Sequence, residues 1–171
     1  MLSGNKIALR AWSADDIAPL SAMRNDVELQ KLLMTQPKPN SNEQVARWLS
    51  DKSSRENGVF FVVAELVGGS AVGYVQVVDM DFLHGTGKLG ICLARDSQGK
   101  GYGYEVLHLL EGYLQETFHL RKIILHVLAN NGAAIGLYRR AGFIDVGCMR
   151  EHFYLDGAFQ DVLVMEKILP K

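Results

Sequence analysis

Leu89-Gly90-Ile91-Cys92-Leu93-Ala94 leads into Ser97-Gln98-Gly99-Lys100-Gly101-Tyr102-Gly103, and a helical pattern follows, with apolar residues at Val106, Leu107, Leu110, Tyr113, Leu114 and Phe118. A strand runs into a glycine loop, and the loop opens a helix. Three glycines at alternate positions leave backbone N–H groups uncrowded. The helix N-terminus adds its partial positive charge to those donors. Such a loop is suited to hold a phosphate or pyrophosphate.

The surrounding chain sets the context. Ile7 to Trp12 alternates as a first strand, and Ser13 or Asp15 caps a helix carrying Ile17, Leu20 and Met23. Val27 to Met34 reads as a short helix, and Asn42 as the cap of one carrying Val45, Trp48 and Leu49. From Gly58 the period changes to that of strands. Val59–Ala64 and Ala71–Val78 form an antiparallel hairpin through Gly68-Gly69-Ser70. Residues 79–87 read as a loop. Beyond the glycine helix lie a strand at Lys122–Leu128, a helix capped by Asn130 or Asn131 and ended by Gly142, and strands from Phe143 to Tyr154 and Phe159 to Ile168. Asp156-Gly157 joins the last two as a hairpin turn. This order of elements predicts an α+β (mixed α/β) domain on one largely antiparallel sheet, with a parallel neighbour pair at the glycine loop.

Composition bounds the function. The 171 residues read as one domain, and 48% apolar with 22% charged residues is ordinary for a globular protein. A net charge of −1 argues against nucleic acid or an anionic membrane surface as partner. No apolar run reaches the length of a membrane span, and the start, Met1-Leu2-Ser3-Gly4-Asn5-Lys6, has no apolar leader segment. Two cysteines, Cys92 and Cys148, in apolar contexts suit a reducing cytoplasm. The five histidines and two cysteines show no metal-ligand spacing. His108, His119 and His126 read as surface or edge residues.

Two common phosphate loops do not fit. A Walker-type loop needs Lys-Ser or Lys-Thr after its last glycine, where this chain has Tyr104-Glu105. A dinucleotide fingerprint belongs to the first βα turn of a βαβ unit, whereas this loop follows an antiparallel hairpin mid-chain.

Gln98-Gly99-Lys100-Gly101-Tyr102-Gly103 instead resembles the acyl-CoA pyrophosphate loop of the GNAT superfamily of N-acetyltransferases. A second signature of that family matches Asn131-Gly132-Ala133-Ala134-Ile135-Gly136-Leu137-Tyr138-Arg139-Arg140-Ala141-Gly142-Phe143. The resemblance covers essentially the whole chain. The tail from Met149 to Met165 further resembles the subgroup acting on ribosomal-protein N-termini, spermidine and amino-sugar nucleotides. The resemblance implies one acyl-CoA N-acyltransferase domain over residues 1–171. Its twisted sheet should have about seven strands flanked by about four helices, splayed between the strands at 86–94 and 121–128.

The same resemblance implies the site. The backbone of Gln98, Gly99, Lys100, Gly101, Tyr102 and Gly103 would hold the pyrophosphate of acetyl-CoA, the acetyl donor, and no metal is needed. Ile91, Cys92 and Leu93 would pair with the pantetheine arm as a further strand, and Asn131 would face it. A backbone N–H near Ile91 or Cys92 would polarise the thioester carbonyl. Tyr138 matches the general acid that protonates the departing thiolate.

The base stays open. Lys88 stands where many relatives carry Glu, leaving Asp79, Asp81, His84, Glu151, His152 or a water chain. Cys92 as a covalent acetyl carrier is disfavoured by its apolar setting. The acceptor pocket should be lined by Arg24 to Met34 and Glu151 to Phe159. Asp26, Glu28, Glu151 and Asp156 suit a polyamine or protein N-terminal amine, while Arg24, Lys38 and Arg150 suit an amino-sugar nucleotide. A non-catalytic acyl-CoA-binding module is the alternative, and edge strands near the C-terminus suit a homodimer.

Overall fold

The computed structural model describes residues 1–170. These form eight strands and five α-helices. In chain order they are β1 (Leu2–Ser3), β2 (Ile7–Arg10), α1 (Ile17–Asn25), α2 (Val27–Leu32), α3 (Asn42–Ser53), β3 (Val59–Glu65), β4 (Ala71–Asp81), β5 (Thr86–Leu93), α4 (Tyr102–Phe118), β6 (Lys122–Leu128), α5 (Gly132–Arg140), β7 (Ile144–Leu155) and β8 (Ala158–Ile168). All strands join one mixed sheet in the order β1-β2-β3-β4-β5-β6-β8-β7. The expected α+β class holds, with β1 as a strand beyond the seven expected.

Local chemistry moves several boundaries. Ser41, not Asn42, caps α3: its hydroxyl accepts from the Gln44 N–H at 3.3 Å, and Gln44 Oε1 accepts from the Ser41 N–H at 2.7 Å. This reciprocal box satisfies two otherwise unpaired donors. Asn42 instead accepts from Ser21 Oγ at 2.9 Å and ties α3 to α1. Residues 79–87 are mostly strand, because a bulge between Val78 and Asp81 lets β4 and β5 continue pairing to Asp81↔Thr86. The last hairpin turns at Asp156 (φ 51°) and Gly157 (φ 85°), both left-handed as a two-residue turn requires.

Strand side chains alternate between two layers. Val63, Val75, Val77, Leu89, Ile123 and Leu125 bury against Val106, Leu107, Leu110 and Leu114 of α4 and Ile135 and Tyr138 of α5. On the opposite face Phe60, Val62, Tyr74 and Cys92 meet Leu20 and Met23 of α1, Leu29 of α2 and Val45 and Leu49 of α3. Leu110, 1% exposed, lies central in the first layer. Leu110→Ala lowers unfolding stability by about 2–5 kcal/mol, from lost apolar contact and the cavity left behind. Denaturant titration with an unchanged m-value is the measurement, and a loss under about 1 kcal/mol contradicts this packing.

One gap in the ladder positions the site. β5 and β6 are parallel neighbours paired only at Thr86↔Lys122, Gly87↔Ile123 and Lys88↔Ile124. Beyond these, β5 runs on to Leu93 and β6 to Leu128 with no pairing between them. The facing backbone groups of that stretch are left for another partner.

Candidate active site

The opening between β5 and β6 leads into a cavity of about 650 Å³. The glycine loop closes one end. A 3-10 turn at Arg95–Ser97 follows β5, and Gly99 (φ 75°) and Gly101 (φ 86°) take left-handed conformations before α4 begins. Gly101 occupies the cap position of α4, and no side chain caps the helix. The N–H groups from Gly99 to Tyr104 have no hydrogen-bond partner among the described residues. These donors, with the α4 dipole behind them, form a cradle for an anion. The Gln98 N–H is excluded from that set, since it donates to the Arg95 carbonyl at 3.2 Å. The Gln98 side chain donates to Leu93 O at 3.0 Å and fastens the loop to the end of β5.

Neighbouring elements hold the cradle rigid. Lys6 Nζ donates to Lys100 O at 3.1 Å, and Tyr102 Oη donates to Glu65 Oε1 at 2.7 Å. A Cβ on Gly103 would stand 2.8 Å from Leu137 Cδ2, so a hydrogen there lets α5 approach α4. Gln98, Gly99, Gly101, Tyr102 and Gly103 line the cavity, as do Ile91, Cys92 and Leu93. Lys100 does not: its ammonium lies over the Tyr102 ring at 5.8 Å, outside the cavity.

Asn131 caps α5, its Oδ1 accepting from the Ala134 N–H at 3.2 Å, and it also lines the cavity. Tyr138 enters from α5, packed on Phe143 at 5.7 Å between ring centroids. Its hydroxyl makes no hydrogen bond among the described residues. Burial pushes the phenol up to about 12, so it keeps its proton at neutral pH. Cys92 is buried beside Tyr74 in the α1–α3 layer, and burial pushes its thiol up to about 12. A thiol held protonated is a poor nucleophile.

The acidic residues named for the acceptor pocket are already engaged. Asp26 accepts both prongs of the Arg95 guanidinium, at 2.7 and 2.8 Å, and that pairing holds its carboxyl at about 2. Lys31 bridges Glu28 at 2.8 Å and Asp156 at 2.7 Å. Glu151 sits at a bulge of β7, its N–H donating to Asp161. Lys88 lines the cavity and meets Asp79 at 3.1 Å. Asp81 accepts the His84 N–H in the β4–β5 turn. His126 of β6, read from sequence as a surface residue, is exposed, but into the cavity. The period-two alternation of β6 was the available signal. It marked His126 as standing off the buried face, yet not what lay beside it.

Among the described residues no three His, Cys, Asp or Glu side chains gather to hold a metal ion. No helix there is long and apolar enough to cross a membrane.

Comparison with known proteins agrees with this geometry. Residues 6–144 match the acetyltransferase (GNAT) domain model. The chain is 26% identical over 158 residues to the spermidine N(1)-acetyltransferase of Vibrio cholerae, covering 92% of this chain and 90% of that one. To the Escherichia coli K12 spermidine N(1)-acetyltransferase it is 24% identical over 168 residues, covering 96% and 87%. A crystal structure of the Vibrio cholerae spermidine N-acetyltransferase with CoA and spermine shares the fold, with a TM-score of 0.87, 24% identity and 95% of each chain covered. An unpaired N–H cradle beside a splayed parallel strand pair fits the pyrophosphate and extended arm of CoA. The chain belongs to the GNAT acetyltransferase family and is an acetyl-CoA-dependent N-acetyltransferase.

Proposed function

We propose that the acceptor is a small primary amine carrying an anionic group, phosphate or carboxylate, as in an amino-sugar nucleotide. One observation carries this reading: no carboxylate side chain lines the cavity among the described residues, while Lys88 and Arg140 do. The acids at the α2 rim are already paired, Asp26 with Arg95 and both Glu28 and Asp156 with Lys31, which leaves one net negative charge there. Arg24 adds a cation on the α1–α3 side, its guanidinium over Trp48 at 4.3 Å and its buried Nε without a partner. A polycation entering here meets like charge, which costs affinity. The Lys88–Asp79 pair is exposed, and such pairs are worth about 0–1 kcal/mol, so Lys88 is readily released to an anion.

Acetyl-CoA supplies the activated thioester. In this reading the free amides from Gly99 to Tyr104 hold its pyrophosphate, and the stretch of β5 at Ile91, Cys92 and Leu93, which does not pair with β6, aligns the pantetheine arm. Asn131 borders that arm, and Tyr138 donates the proton that the leaving sulfur needs. Residues 1–171 act as one acyl-CoA N-acyltransferase domain. A homodimer is part of the proposal, supported by the edge strand β7, where Ile144 is 61% and Val146 49% exposed. Residence in the cytoplasm is supported by two cysteines that stand free.

A polyamine acceptor is the second reading, favoured by the relatives, which are named for spermidine. The two separate by kcat/KM on matched amines. An amino-sugar nucleotide or other anionic amine is expected to exceed spermidine by at least about tenfold, equivalent to about 1.4 kcal/mol. Spermidine exceeding every anionic amine contradicts the first reading.

A further inference from the structure

We infer that His126 takes the proton from the acceptor amine, an assignment that rests on the acyl-transfer reading of this cavity. Pairing between β5 and β6 ends at Lys88↔Ile124. Two residues on, the same face carries Gly90 on β5 and His126 on β6. Gly90 contributes no side chain, so His126 is the first functional group on that face past the point where the strands part. Lys88, Gly90, His126 and Tyr138 all line the one cavity.

Placement of the pair matches the chemistry. Tyr138 stands in the layer with Leu125 and Val127. His126 alternates with those residues along β6 and therefore projects from the other face. Proton donor and proton acceptor thus approach the opening from opposite sides of the sheet. The sulfur leaves on one side, and the amine enters on the other.

The proton balance closes. An acceptor arriving as ammonium gives one proton to the imidazole, which passes it to solvent and frees the nitrogen lone pair. The C–N bond forms and the C–S bond breaks. Nitrogen releases its second proton to the imidazole, and Tyr138 gives its phenol proton to sulfur. The proton on the imidazole returns to the phenolate through solvent. One proton is released for each amide and thiol formed.

The groups facing His126 are Lys88 from β5, held by Asp79; Glu166 from β8, held by Lys122 at 2.6 Å; and His152 from β7. Desolvation by the surrounding cavity walls first, then the charges of Lys88 and His152, hold the imidazole below its ordinary value. It is therefore neutral, with a free lone pair, at pH 7. Of the other candidates, Asp79, Asp81, His84, Glu151 and His152 do not line the cavity.

The test is the pH dependence of kcat for His126→Gln and Lys88→Met, with acetyl-CoA and the better of the matched anionic and polyamine acceptors. Wild type is expected to lose kcat as pH falls, with a midpoint below that of a free imidazole. His126→Gln should lower kcat by about 10²-fold, abolish that limb and leave the acetyl-CoA KM within about twofold. Lys88→Met should move the limb to higher pH, because a neighbouring positive charge is gone. A structural role would alter stability or CoA binding without moving the limb. Wild-type kcat and limb in His126→Gln overturn the assignment. If that variant does not fold, an unmoved limb in Lys88→Met overturns it. Wild type that acetylates no amine overturns the underlying functional reading, and the assignment with it.

Discussion

Tyr138→Phe is expected to lower kcat by about 10²–10³-fold while leaving acetyl-CoA affinity and stability close to wild type. The ring itself is structural, buried against Phe143 within the α4–α5 layer, and phenylalanine keeps that packing. The hydroxyl bonds to nothing among the described residues, so deleting it leaves no orphaned partner. What disappears is the proton proposed for the departing sulfur. The phenol's raised pKa has a second consequence. A group pushed up to about 12 stays protonated as pH rises through the range in which an amine loses its own proton. Wild-type activity should therefore show no alkaline loss below about pH 10 from this residue. A Tyr138→Phe enzyme with wild-type kcat, or a wild-type profile falling already near pH 8, argues against Tyr138 as proton donor.

Gly101→Val should raise the acetyl-CoA KM by about 100-fold. Gly101 stands at φ 86°, where a β-branched side chain is strained by roughly 1–3 kcal/mol. The chain escapes that strain only by turning the peptide units on either side, and those units carry the donors of the cradle. Each charge-assisted bond to a phosphate is worth about 1.5–3 kcal/mol, so misaiming one or two accounts for the expected loss. The core beneath is untouched, since only Lys6 Nζ, at 3.8 Å, lies near the new Cβ. Binding of CoA measured by calorimetry for both proteins decides this. Equal affinity means the loop is not the pyrophosphate site.

These expectations differ in how visible they were from sequence. The loop and the Asn131–Phe143 signature were legible because each expresses a local backbone need. Glycine serves at left-handed positions 99, 101 and 142, and Asn131 serves as a cap. The Asp156-Gly157 turn was legible for the same reason. The Ser41 cap was also available, as Ser41-Asn42-Glu43-Gln44 carries the capping-box spacing, but the neighbouring Asn42 competes for the same role. Charge bookkeeping in the acceptor region was not legible. Asp26 meets Arg95 across 69 residues of sequence, and Asp156 meets Lys31 through the tertiary fold. Counting acids and bases near Arg24 to Met34 therefore could not decide the charge a ligand would feel. His126 escaped notice for a related reason. Its meaning comes from β5 and β6 parting after Lys88, a property of two strands and not of either alone.

The most direct test of acyl transfer in this cavity counts two products at once. The protein is mixed with acetyl-CoA and a panel of anionic amines, polyamines and peptides with free N-termini, and free thiol and acetylated amine are both quantified. One thiol released per amine acetylated, with both falling together in Tyr138→Phe, is the predicted result. Tight CoA binding with no thiol released to any amine would contradict it and leave a binding module on the same fold.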